Sequence, residues 1–409
     1  MIKTRKLLCI LSSITLALAL TACGGSAQAG KAAAPKIVIF QSKVEIIDQL
    51  EAAAKAYTQE TGVEVETRGT TGDDYFQQLK TGLANNQGPT IYSVGPGAEV
   101  EQLANYLADL SDLPFISKIG KGMAAEVNGK TVGIPYTVEG FGLVYNKSLI
   151  NPADVKDYDS FVKMLQDQKS AGLNGFGLSQ ESYFLIGHIL NHPFAVMPDY
   201  VDYMGKLAKG EVKMAETKEF QEFAKFYSAI REYSYNPLEV NYDKECGDFA
   251  TGKTASIHQG NWAYGMFADY DLNFEMGLMP FPIAGNDKLA VSVPTVWGVN
   301  SQAPEADIKA AKDFLTWLYT SETGQKYIVE EFGFIPVVEG TSSESLDPLS
   351  AEVSRYVIEG KTLPWATNLY PAGIVDIHLV PVAEKFFSSA MTEEELLAAL
   401  DEAWANAVK

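Results

Sequence analysis

Two stretches of the chain set aromatic rings and a carboxylate beside amides, His258-Gln259-Gly260-Asn261-Trp262 and Gln180-Glu181-Ser182-Tyr183, and Glu139 stands as a lone carboxylate ahead of an apolar run. A sugar offers C–H faces that stack on rings and a rim of hydroxyls that need donors and acceptors. Trp or Tyr mixed with Glu, Asn and Gln is therefore the composition of a carbohydrate site. These stretches supply the leading candidates, Trp262, Tyr183, Glu181, Glu139, Asn261 and Gln180. Trp297, and Trp365 with Tyr370 in the irregular segment TLPWATNLYPAG, add rings of second rank. For these, burial between helix and sheet is the competing explanation. Gln41 and Ser42 complete the set as polar residues directly after a strand-like run. Trp317 and Trp404 fall on apolar faces of predicted helices and read as core.

Other motifs point to chemistry that their surroundings do not support. Gly247 to Thr254 satisfies G-x-x-x-x-G-K-[ST], the spacing of a phosphate-binding loop. The segment before it, NYDKEC, is polar and acidic where an apolar strand is required, and Asp248 would repel phosphate. A helix end with Phe249 packed inward explains it better. His188 and His192 stand four apart, a zinc-binding spacing on a helix, yet neither HExxH nor a third ligand accompanies them, and Pro193 is expected to disrupt the helix. There is no G-x-S-x-G elbow and no histidine motif to activate Cys246. Asp73 and Asp74 are adjacent, point apart on a helix and suit an N-cap. The expectation is no catalysis, no cofactor and no metal.

The elements that must position the candidate residues follow from apolar spacing. Residues 36–40 form a short buried-strand pattern, and Ile46, Ile47, Leu50, Ala53, Ala54 and Tyr57 recur at helical spacing up to Gly62. A strand over 63–67, a helix through Leu79 and Leu83 and a strand over 89–94 follow. This β-α-β-α-β order predicts a parallel, helix-covered sheet with ligands beyond the carboxyl ends of its strands. Residues 131–135 and 142–146 read as two further strands, a long amphipathic helix is predicted from Glu305 to about Glu330, and Leu396, Leu397, Leu400 and Trp404 define a closing helix. The chain has 409 residues, 46% of them apolar and 21% charged. That is enough for two or three domains or two lobes, and it excludes a disordered, collagenous or disulfide-dense protein. Dispersed apolar residues exclude a polytopic membrane protein, and no internal repeat is present. A formal charge of −20 repels phosphate backbones and anionic lipid, so nucleic acid is excluded as a partner.

The amino-terminal segment carries targeting information. Lys3, Arg5 and Lys6 precede the apolar stretch from Leu7 to Leu20, too short to span a bilayer and typical of an export signal. Leu20-Thr21-Ala22-Cys23 resembles a bacterial lipobox. That resemblance implies cleavage after residue 22, a diacylglycerol on Cys23 and a protein held at the extracellular face of the cell membrane. Residues 23–35 read as a flexible tether. With Cys9 removed and Cys23 lipidated, Cys246 stands alone and no intrachain disulfide is available.

Eight short segments then occur in order: TGVEV (61–65), GPTI (88–91), GKTVGIP (129–135), VEGFGLVYNK (138–147), GKTAS (252–256), GNW (260–262), WGVN (297–300) and GFIP (333–336). Together they resemble the family 1 extracellular solute-binding proteins of ATP-binding-cassette (ABC) sugar importers, the family of the maltose/maltodextrin-binding proteins. Thr90 stands where the family usually has Asp, and Ser256 where it has Met. The resemblance implies an α/β, two-lobed, periplasmic-binding-protein-like (type II) fold with a ligand cleft between lobes and crossing hinge strands. Residues 36–139 and 298–340 would form one lobe, 140–297 and 341–409 the other. It places Trp262 where a relative stacks a sugar, Glu181 and Tyr183 beside the ligand, and Glu139 as a hydrogen-bonding partner before the hinge strand. It further implies a monomer that delivers a di- or oligosaccharide to an ABC permease and its ATPase. A receptor for another small solute, such as a polyamine or glycerol phosphate, and an exported glycan hydrolase are the alternatives.

Overall fold

The computed structural model describes residues 34–69, 74–267 and 270–408. The apolar leader, the proposed lipidation site Cys23 and the expected cap at Asp73 lie outside the described residues. The described strands are β1 (Lys36–Gln41), β2 (Glu64–Gly69), β3 (Ile91–Val94), β4 (Ala125–Val127), β5 (Lys130–Pro135), β6 (Glu139–Asn146), β7 (Ser256–Gly260), β8 (Met276–Met279), β9 (Leu289–Ser292), β10 (Val296–Val299) and β11 (Thr362–Leu363). They form two sheets, the centres of two lobes. One has the order β2-β1-β3-β10-β5-β4; in the other, β11-β9-β6-β7, strand β8 also pairs with β6.

Strands β1, β2 and β3 are parallel, as alternation of strand and helix requires, whereas β10 runs antiparallel to β3 and β5. In the second sheet only the β9–β11 pair is parallel. The helix Ile47–Thr61 buries Leu50, Ala53, Ala54 and Tyr57 against the first sheet and ends at Gly62. Glu305–Thr320 buries Phe314, Leu315 and Leu318, but this helix stops ten residues short of its predicted end. Ser321 breaks it and caps the next turn by accepting from Gly324 N–H (2.9 Å), and apolar periodicity does not register a polar cap inside a helical pattern. Pro193, expected to disrupt a helix, lies within His188–Ala195. Its missing N–H removes one helical bond, to the Ile189 carbonyl, and the helix ends two residues later.

The chain passes between the sheets at Tyr136–Val138 and again at Val293–Thr295. It passes a third time between Val338, bridged to Ile119, and the helix Pro348–Ile358, which packs on the second sheet. Val296 and Trp297, assigned by sequence to the second lobe, pair with Val94 and Ser93 of the first sheet. Glu139, assigned to the first, opens β6 of the second and pairs with Ser292.

Side chains alternate along β6. Glu139 and Phe141 face one side of the second sheet; the even positions face the helix Pro348–Ile358, where a Cβ on Gly140 would meet Val353 at 2.9 Å. A Cβ on Gly142 would lie 2.2 Å from the Met279 carbonyl oxygen of β8. Gly142→Ala should therefore cost more than about 2 kcal/mol in urea unfolding by forcing the strands apart. Gly205→Ala, on an open helical position, should add about 0.5–1 kcal/mol.

Candidate functional site

The carboxyl end of β7 delivers Asn261 and Trp262 into a 3-10 turn, Asn261–Phe267. Gly260 permits this, because a Cβ there would sit 2.3 Å from Cζ3 of the Trp262 ring. The indole folds back over the strand and donates from Nε1 to Gln259 Oε1 (2.8 Å), while Gln259 Nε2 donates to Glu245 Oε2 (2.7 Å). Burial, opposed by the Gln259 hydrogen bond, lifts the Glu245 carboxyl to about 8, so it is a neutral acid at physiological pH. Glu245, on the helix Tyr242–Ala250, thus anchors the ring that sequence ranked first.

Around Trp262 the second lobe builds an aromatic floor. Phe141 is fully buried at its centre, with His188 stacked on it (4.2 Å between centroids, 14°) and Trp365 tilted against it (5.0 Å). Phe184 lies parallel to Trp262 at 6.1 Å, and Tyr183 approaches His188 at 5.7 Å while remaining 43% exposed. Tyr183 and Phe184 open the π-helical turn Tyr183–Gly187, which runs directly into His188–Ala195. Trp365 is held by Asn191, which donates to Pro364 O (3.2 Å) and accepts from Thr367 N–H (3.3 Å).

The first lobe answers with charge. Lys43, two residues past β1, pairs with Glu139 at 2.6 Å and with Glu45 at 2.9 Å, and all three side chains are nearly inaccessible. Burial alone lowers the Lys43 ammonium, but the Glu139 and Glu45 carboxylates outweigh it and hold the lysine above its usual range. Burial raises Glu139, with Lys43 opposing. The lobes meet again where Gly97, at φ 77°, brings its backbone against Asn368: a Cβ would stand 2.4 Å from that residue's carbonyl oxygen. The cleft is closed in this structure.

The sequence candidates divide by placement. Trp262, Tyr183, Trp365 and Glu139 come together at this interface. Glu181 lies behind it, accepting from Tyr242 N–H (2.9 Å). Gln180 is exposed at the start of that loop. Asn261 is buried and spent on a brace, accepting from Gly140 N–H (3.0 Å) and donating to Ser350 Oγ (3.1 Å). Gln41 accepts from Lys43 N–H and so shapes the loop, and Ser42 bonds Ser93. Trp297 is not brought to the cleft: it stacks on Tyr136 at 3.7 Å inside the first core. Tyr370 packs edge-on to Trp404 (5.0 Å) in the second core. Trp317 is half-buried, with Nε1 donating to Glu60 (2.8 Å). Of the decoys, Phe249 is fully buried and Lys253 pairs with Asp248, while no cluster of His, Cys, Asp or Glu able to hold a metal occurs among the described residues.

Sequence reasoning missed Lys43, Phe184, His188 and Glu245. Lys43 and Phe184 each adjoin a chosen residue, and the strand-end and loop signals that selected Ser42 and Tyr183 extend to them. A cavity of about 490 Å³ also lies between the lobes, lined by Gly97, Val100, Met123, Val138, Val293 and Asn368 among others. It has no aromatic lining, and none of Glu139, Trp262, Trp365 and Tyr183 is among the residues that line it. It offers no face for a sugar ring.

A family profile described as bacterial extracellular solute-binding protein matches residues 52–357, about three quarters of the chain. The chain belongs to that family. This solute-binding protein is 24% identical over 366 residues to the maltooligosaccharide ABC transporter solute-binding lipoprotein of Streptococcus pneumoniae, covering 82% of this chain and 81% of that one. It is likewise 24% identical over 374 residues to a galactooligosaccharide-binding protein of Bacillus subtilis, covering 84% and 83%. Its fold matches a chitin oligosaccharide binding protein with a TM-score of 0.78 at 19% identity, over 91% of this chain and 99% of the other. A solute-binding protein solved with raffinose, RafE, gives 0.74 at 18%, over 91% and 100%.

The site's buried imidazoles make the solute-binding protein acid-sensitive. Burial, joined by neighbouring imidazoles, drives His188 well below 6.5 and His258 to about 3; burial drives His192 to about 4. The unfolded chain takes up these protons near pH 6.5 and the folded chain does not, so stability falls as pH drops from 6.5 toward 4, at up to about 1.4 kcal/mol per pH unit for each group. Glu245 acts in reverse: its folded value is raised, so its contribution is complete below about 4.5 and is lost as pH climbs through about 8. Melting temperature against pH should fall on both sides. His192→Phe should flatten the acid limb and Glu245→Gln the alkaline one, and limbs unchanged by these variants would refute the assignment.

Proposed function

We propose that this solute-binding protein captures a neutral di- or oligosaccharide between its lobes and passes it to an ABC permease driven by a separate ATPase. It would work as a monomer anchored through a diacylglycerol on Cys23 at the extracellular face of the cell membrane, with residues 1–22 removed. The observation that carries the ligand class is the set of rings around Trp262, with Trp365, Phe184 and Tyr183 across from the Lys43–Glu139 pair. Rings meet C–H faces while flanking polar groups meet hydroxyls. The relatives described above, a maltooligosaccharide and a galactooligosaccharide binder among them, support the same class. Residues 36–138 with 296–340, and 139–292 with 348–408, would move as the two lobes about the connections at Val138 and Val293. Ligand held by both lobes favours the closed form by its differential affinity.

A glycerol phosphate would need free cations, and Lys43 is already held by two carboxylates. A polyamine is favoured by the excess of acid, since Glu45 and Glu139 face one lysine and Glu181 keeps one buried oxygen without a partner. A thermal-shift screen of di-, tri- and tetrasaccharides beside spermidine and glycerol 3-phosphate decides between them. A ligand at 100 times its Kd stabilises by about 2.7 kcal/mol. Sugars should raise the melting temperature and the charged solutes should not; the reverse would overturn the sugar assignment. Trp262→Ala should weaken sugar binding by more than about 1 kcal/mol with folding intact, read by calorimetry.

A further inference from the structure

Resting on the sugar assignment above, we propose that His188 and Trp365 form a hydroxyl-reading pair in the aromatic floor, taking one ligand hydroxyl between an imidazole nitrogen and the indole N–H. Both side chains are more than nine-tenths buried, at 6% and 8% exposure, and their ring centroids lie 5.7 Å apart. Neither His188 Nδ1 nor Trp365 Nε1 has a hydrogen-bond partner among the described residues. Buried polar atoms are rarely left so, because burial removes the water that would otherwise satisfy them. A hydroxyl both donates and accepts, and so completes the two atoms at once.

The pair is distinguished from the other imidazoles by its company. His192 and His258 each keep Nε2 without a partner as well, but they donate from Nδ1 to the carbonyls of His188 and Gly142 and lie between Phe141 and Phe281 on the core side. His188 instead sits among Trp262, Trp365, Tyr183 and Phe184, the rings of the cleft. A single helix sets both members of the pair. His188–Ala195 carries His188 at its start, and its Asn191 clamps the backbone on either side of Trp365. Burial keeps the His188 ring uncharged, which leaves one ring nitrogen able to accept from the hydroxyl while the indole N–H donates to it. The stacking rings hold any sugar face; the pair would select which hydroxyl lies beneath them, and so the ligand's register on the floor.

The test uses the full chain, calorimetry with raffinose, maltotriose, stachyose and chitotriose, and the monodeoxy derivatives of whichever sugar binds. Wild type should lose at least about tenfold in affinity for one monodeoxy sugar, since both hydrogen bonds go with the hydroxyl. His188→Phe and Trp365→Phe should each bind the parent sugar about tenfold more weakly and no longer distinguish it from that derivative, and the double variant should lose little more. Should His188→Phe fail to fold, Trp365→Phe and His188→Gln carry the same comparison, with glutamine restoring part of the discrimination. Variants that keep the wild-type ratio between parent and deoxy sugars would overturn the pair while leaving the sugar assignment standing. Failure of wild type to bind any of these four or any sugar of the di-, tri- and tetrasaccharide screen above would overturn both.

Discussion

The alternation of side chains along one strand governs this molecule. The chain leaves the first lobe at Val138 and enters the second at Glu139, where β6 begins; its first two odd positions, Glu139 and Phe141, serve the cleft, while the glycines between and after them serve the fold. Glu139 reaches Lys43 of the other lobe, and Phe141 underlies His188 and Trp365. Gly140 and Gly142 leave the opposite side bare, so that Val353, Leu289 and β8 can press against the backbone. A slip of one residue would bury glutamate against a helix and turn the glycines toward the cleft.

Polar groups hold this arrangement in register. Asn261 ties the end of β7 to Gly140 and to Ser350, whose hydroxyl donates to Gly333 O, so the site's strand end, the crossing strand and the third connection are linked. Behind the floor, Glu245 and Gln259 orient Trp262. Each of these buried polar contacts is directional, whereas apolar packing alone would allow the rings to settle in several ways.

Much of this was legible in the sequence, in proportion to how local its causes are. The helix Ile47–Thr61 follows from its own apolar spacing and Gly62, and the closing helix Glu393–Ala407 from Leu396, Leu397, Leu400 and Trp404. Trp262 could be ranked first because its loop carries both ring and amides. What periodicity could not supply was partnership across long chain separations. Trp297 and Trp365 are both loop-flanked tryptophans, and only Tyr136 in one case and Asn191 in the other decide which is entombed and which reaches the cleft. Lys43 was missed for the same reason, since its partner lies 96 positions away. Asn261 looked like a ligand contact because an amide beside a tryptophan has that chemistry, and its structural use depends on Ser350.

The buried ion cluster between the lobes has a bearing on the protein without ligand. Lys43 and Glu45 belong to the same lobe, so when the halves part only Glu139 is taken from the lysine, and Glu45 stays as its counterion. Water regained by the separated charges offsets most of the attraction forfeited. On the lobe motion proposed above, the clasp would orient the jaws without bolting them and leave an unoccupied molecule free to gape and admit its cargo.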